Sequence, residues 1–176
     1  MDFLRHTSAR RTLCGVALLL ATWHTYADTP VADEHLLGLS EQDVALAVPG
    51  AKKLAKPAAG PRGLRGLLTV SASDAPGQAG ELTFYFRRSV LERIEERKRL
   101  PEPQCRDRYA ALLASLSTRY GAGIYSDGDN ANAAQNGSAA WVLDNFKVMA
   151  YRLQAANQCD LLVAIEQHAQ RDATEL

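Results

Sequence analysis

Residues 103–121 read PQCRDRYAALLASLSTRYG. Their apolar positions are Cys105, Tyr109, Leu112, Leu113, Leu116 and Tyr120, a spacing that lines one face of an α-helix. Glu102 and Pro103 suit a first helical turn, and Gly121 suits the residue that closes the last one. The segments on either side alternate as strands do. The pattern therefore predicts an α+β fold in which an antiparallel sheet packs against one main helix, residues 103–120.

Working outward, Ser40-Glu41-Gln42-Asp43 opens a short first helix, with Ser40 placed to cap it and Pro49-Gly50 to end it. Residues 51–66, AKKLAKPAAGPRGLRG, are rich in Lys, Pro and Gly and read as a connection with a solvated basic face, a contact site for an acidic partner being the alternative. A strand begins at Leu67, and SDAPGQAG is a turn-rich loop. Leu82, Phe84 and Phe86 then alternate with Thr83, Tyr85 and Arg87, the cleanest period of two in the chain. Residues 90–99 support two readings. Ser89 with Glu92 is a capping-box pair and Glu95 with Arg99 an i,i+4 pair, both helical. A charged edge strand fits as well, and the order of elements in the later half favours the strand. Beyond the main helix, residues 122–139 are small and polar and read as a loop. Strands follow at 141–143, 146–155 and 159–166, the last with a buried-type run of Leu161, Leu162, Val163 and Ile165. Each half thus presents a helix and three strands, an αβββ order that occurs twice. Residues 28–37, with His35, and 168–176, with His168, read as loose solvated ends.

The first 27 residues have the form of a secretory signal peptide: Arg5, Arg10 and Arg11, an apolar core over residues 13–22, then Thr25 and Ala27 before Asp28. The Arg10-Arg11 pair leaves Sec and twin-arginine export both open. Residues 28–176 then form a single domain. The whole chain holds 20 basic and 20 acidic residues; without the signal the balance is 17 against 19, which offers no long-range attraction for nucleic acid. No second apolar run is long enough to cross a membrane. The expected location is the periplasm or the exterior. Cys14 leaves with the signal, and Cys105 and Cys159 remain for an oxidising compartment. An intramolecular disulfide is the simplest outcome; two free thiols or an intermolecular bridge are the alternatives.

The search for chemistry returns little. HExxH, CxxC, a glycine-rich phosphate loop and GxSxG are all missing, and the two histidines outside the signal lie in the loose ends. Asp127-Gly128-Asp129-Asn130 resembles part of a calcium-binding loop, but Ala131 breaks the alternation of oxygen ligands and no bidentate glutamate follows. Asn136-Gly137-Ser138 matches a glycosylation sequon. No catalytic residue, cofactor or metal is expected. Tyr85, Tyr125 and Trp141 are the aromatics expected to be exposed at an interface.

The run GLSEQDVALAVPGAKKL (residues 38–54), together with Cys105, Leu116, Tyr120-Gly121, Trp141 and Cys159, resembles small exported α+β domains of the β-lactamase-inhibitor-protein and BamE type and related Gram-negative periplasmic proteins. In those, a Gly-x-Ser/Thr helix ends near Gly or Pro before an antiparallel sheet. This chain differs in having one helix before its first sheet half and no lipid-attachment cysteine, so no functional residues transfer. The expectation is a non-enzymatic module that binds another envelope or secreted protein, as an inhibitor or immunity protein. A structural or accessory envelope protein is the alternative.

Overall fold

A computed structural model describes residues 33–75, 78–127 and 136–168. In order they form a 3₁₀ turn (Glu34–Leu36), α1 (Glu41–Ala47), β1 (Lys52–Ala59), a second 3₁₀ turn (Pro61–Gly63), β2 (Arg65–Ala75), β3 (Gln78–Arg87) and β4 (Val90–Pro101). Then come α2 (Glu102–Tyr120), β5 (Ile124–Asp127), β6 (Gly137–Val142), β7 (Phe146–Ala155) and β8 (Gln158–Gln167). The eight strands make one antiparallel sheet in the order β1-β2-β3-β4-β8-β7-β6-β5. Each half is a helix and a four-stranded meander, and the last strands of the two meanders pair in the middle.

The α+β class and the antiparallel sheet agree with the sequence, and residues 90–99 are strand. The αβββ order needs correction, because each half has a fourth strand. The missed ones, β1 and β5, are the two edges of the sheet. An edge strand buries little, so its side chains need not alternate. β1 carries Lys52, Lys53, Lys56 and Pro57, and β5 is four residues long. Both features keep an open edge from pairing with another chain. β6 also begins earlier than expected, at Gly137.

Cross-strand partners share a face, so the register sorts the side chains. One continuous row runs Leu68–Phe84–Ile94–Ile165–Val148–Trp141 across six strands, and every member is almost fully buried. Cys105, Tyr109 and Leu116 of α2, and Val44 of α1, complete this core. The remaining positions of the α2 stripe, Leu112, Leu113 and Tyr120, are partly buried against it. α1 has seven residues, too few to persist alone. The Ser40 side chain caps it by accepting from the Asp43 N–H, and its approach is tied to β4 by Gly38 N–H to Leu91 O and Leu91 N–H to Leu39 O. α2 stops at Gly121, whose φ of 85° and ψ of −158° suit glycine alone. The Gly121 carbonyl accepts from Trp141 Nε1, which docks the helix end on β6.

Two connections cross the core. Cys105 of α2 and Cys159 of β8 are both buried with their sulfurs at bonding distance, and their Cα atoms are 6.3 Å apart, within the span of a disulfide. At the opposite end of α2, Glu34 accepts from Arg119 (2.6 Å) and from the Tyr120 hydroxyl (3.0 Å). Residues 33–37 are therefore anchored, not loose, although His35 is exposed as expected. His168 is also fixed: its N–H donates to Asn145 O and its ring Nε2 lies 2.9 Å from Leu143 O. The signal segment and residues 128–130 of the calcium-like run lie outside the described residues.

Two outcomes follow. The bridge closes a separation of 54 residues, for which chain entropy gives about 4 kcal/mol. Cys105→Ala with Cys159→Ala should lower the unfolding free energy by about 2–4 kcal/mol in denaturant titrations, and reductant should then have no further effect. Burial by itself would raise the Glu34 pKa, but hydrogen bonds from its own backbone N–H, from Arg119 and from Tyr120 outweigh it and hold the group below its ordinary value of 4.5. A carboxyl depressed in the folded state contributes stability above its unfolded pKa and loses it as pH falls through the folded one. Acidification below 4.5 should thus destabilise the native chain more steeply than Glu34→Gln, as read from melting temperature against pH.

Candidate functional site

The register that buries one face of the sheet also defines its opposite face, to which neither α1 nor α2 supplies a core residue. Three rows cross it: Tyr85–Arg93–Glu166–Lys147–Val142, then Thr69–Thr83–Glu95–Ala164–Met149–Ala140–Ile124, then Ser71–Glu81–Arg97–Leu162–Tyr151–Ser138–Ser126. A shorter row, Arg99–Asp160–Leu153, closes it. The chemistry divides at the centre of the sheet. The strands of the first half contribute mostly charged and hydroxyl side chains, and those of the second half contribute Ile124, Ala140, Val142, Met149, Tyr151, Leu153, Leu162 and Ala164 beside Ser126, Ser138, Lys147, Asp160 and Glu166. Ile124, Val142 and Leu153 are 70, 65 and 47 % exposed.

The charged half is bonded into a ladder. Arg93 donates to Glu166 at 2.9 Å and to Glu95 at 2.9 Å; Arg97 lies 3.6 Å from Glu95, and Arg99 donates to Asp160 at 2.9 Å. Glu166, buried near the end of β8, also meets the Arg62 guanidinium, with Lys147 Nζ 4.0 Å away. Arg62 reaches it because residues 60–64 fold over this end of the sheet. Gly60 packs so closely on Tyr85 that a Cβ would lie 2.6 Å from the ring, and Arg87 donates to the Arg62 carbonyl. Leu64 is buried beneath this turn. Burial, and then the nearby Arg62 and Arg93, lower the pKa of Lys147. Three cations thus gather around Glu166, with Glu95 sharing Arg93.

The three aromatics expected at an interface do not share a surface. Trp141 is only 2 % exposed because it belongs to the core row. Tyr85 lies on the helix-free face but is 8 % exposed beneath the 60–64 turn, and burial, then Glu95, raise its pKa. Tyr125 is exposed, as expected, on the helix-bearing face: its hydroxyl bonds Ser117 at 2.8 Å and its ring stands edge-on to Trp141. Residues 149, 151 and 153 carried the missed signal. In FKVMAYRLQA both alternating sets are largely apolar, and a sheet with helices on one side leaves one such set exposed.

Among the described residues, two groups have metal-ligand chemistry at short range: Glu102 with Cys105 and Cys159, and Asp33 with Glu34 and His35. The sulfurs of the first are joined to each other, and Glu34 of the second is engaged by Arg119 and Tyr120. No family model matches the chain, and no curated protein or solved structure compared with it matches either. Among the described residues, the helix-free face combines exposed apolar side chains with a ladder of ion pairs.

The ladder predicts unequal costs for two similar substitutions. Glu166→Ala removes one of the two carboxylates that hold the buried Arg93 and should destabilise the fold by about 3 kcal/mol. Asp160→Ala removes a partner of the exposed Arg99 and should cost about 0–1 kcal/mol. Equal effects in urea titrations would contradict this account of the face.

Proposed function

We propose that the chain is an exported, non-enzymatic protein-binding module that uses the helix-free face of its sheet to engage an enzyme of the cell envelope or exterior, as an inhibitor or immunity protein. The observation that carries this reading is the apolar half of that face. Ile124, Val142 and Leu153 remain exposed beside Met149 and Tyr151, on a sheet whose other side is filled by the core. Contiguous exposed apolar side chains are characteristic of interaction surfaces, and a surface built on paired strands loses little conformational entropy on binding.

Export is supported by the signal-like leader and by the Cys105–Cys159 pair at bonding distance, which suits an oxidising compartment. No helix among the described residues is long and apolar enough to cross a membrane. The resemblance of residues 38–54 to small exported inhibitor domains points the same way.

Oxidised protein lacking residues 1–27 should form an equimolar complex with an envelope enzyme in light scattering after size exclusion. Ile124→Asp with Val142→Asp should leave the melting temperature within a few degrees of the parent and weaken that complex by about 30-fold or more, as two anchors of more than 1 kcal/mol each would. A complex unaffected by the pair would place the interface elsewhere. Capture of envelope-assembly components without any enzyme would favour an accessory role.

A further inference from the structure

The overall charge balance of the chain hides a sorting by depth on the helix-free face. The carboxylates lie low: the side chains of Glu166, Glu95 and Asp160 are 4, 12 and 25 % exposed. Their cationic partners extend outward, with Arg62, Arg97 and Arg99 59, 53 and 64 % exposed and Lys147 at 30 %. Arg93, 9 % exposed, is the one cation in the floor. Glu81 is the exposed acid of the face and accepts from Thr69, while Lys52, paired with Thr69 across the edge, adds a further cation. The charge that the face presents to solvent is therefore mostly guanidinium and ammonium, beside the exposed Ile124, Val142 and Leu153. Arg97 and Arg99 stand on β4, paired with Leu162 and Asp160 of β8, one strand from the apolar Tyr151 and Leu153 of β7. Arg97 and Arg99 thus form a basic patch with only β8 between it and the apolar side chains of β7.

We infer that the surface recognised by this face is acidic: Asp and Glu side chains of a partner protein bordering an apolar anchor that seats on Val142, Met149, Tyr151 and Leu153. The inference rests on the protein-binding reading above and specifies the chemistry of the partner. Exposed arginines paired with lower-lying carboxylates keep N–H groups free to donate to a second carboxylate from outside. The same field steers an acidic surface toward the face and repels a basic one.

Two synthetic peptides test it, sharing one alternating apolar frame and carrying either Asp and Glu or Lys between the apolar positions. Calorimetry should show the acidic peptide binding at least about tenfold more tightly than the basic one, with the difference shrinking as salt is raised. Amide shift changes should fall on β4, β7 and β8. Arg97→Glu with Arg99→Glu should reverse the preference while leaving the circular dichroism unchanged, with a lower melting temperature because Glu81 and Asp160 then face like charges. No binding of the acidic peptide, equal binding of both, or shifts confined to other strands would overturn the inference. So would stronger binding to vesicles of phosphatidylglycerol and phosphatidylethanolamine, which would make the face a lipid-binding one. If the acidic preference holds but no enzyme is captured, the inhibitor reading falls alone. If an enzyme is captured and the charge reversal leaves its affinity unchanged, the inference falls and the inhibitor reading stands.

Discussion

The structure depends on one antiparallel pairing, that of β4 with β8. It runs without a register shift from Arg93 opposite Glu166 to Pro101 opposite Gln158. Separated there, each meander would expose the strand that now lies at the centre of the sheet, and β8, buried along most of its length, would lose a neighbour on one side. The pairing is secured at both ends by different chemistry. Cys159, opposite Leu100, is tied covalently to α2; Glu166, opposite Arg93, gathers cations from β4, from β7 and from the 60–64 turn. The interior between them is apolar on the helix side, where Ile94 meets Ile165.

Joining two meanders in this way gives a sheet with two distinct faces. Helices need apolar strands beneath them, and the row from Leu68 to Trp141 supplies these. The opposite face has no such requirement, yet its second half is apolar as well, and the helices do not account for that. A fold that needed only stability would place polar residues at 124, 142 and 153. Their exposure is what gives the face a functional reading, and the ladder beside them supplies charge in fixed positions at little entropic cost to a complex.

Much of this architecture was legible in the residues. The α2 stripe, the Ser40 cap, the alternation in β3 and β7 and the continuous apolar run of β8 each follow from burial imposing a period. β1 and β5 were not legible, because at an edge nothing enforces alternation, and lysine and proline there oppose the usual strand composition. Residues 90–99 supported both helix and strand because Ser89 and Glu92 match a capping box, and the strand reading holds. In the structure Arg88 and Ser89 take positive φ values of 47° and 69° and turn a hairpin, a turn without the Asn-Gly signature that would announce it. The functional face was half visible: β7 showed apolar residues on both sides, but the depth sorting of charge depends on register and on the 60–64 turn, and composition averages it away. Tyr85 and Trp141 looked like interface anchors because aromatic residues serve cores and interfaces equally well.

The most direct test of the account is residue-resolved amide hydrogen exchange on the oxidised protein. If the β4–β8 pairing makes the two halves one cooperative unit, the hydrogen-bonded amides of residues 94–99 and 161–165 should exchange only through global unfolding, with one shared free energy and one shared denaturant dependence. Two separate free energies, one for β1–β4 and a distinct one for β5–β8, would show halves that open independently and would contradict the central role given to this pairing.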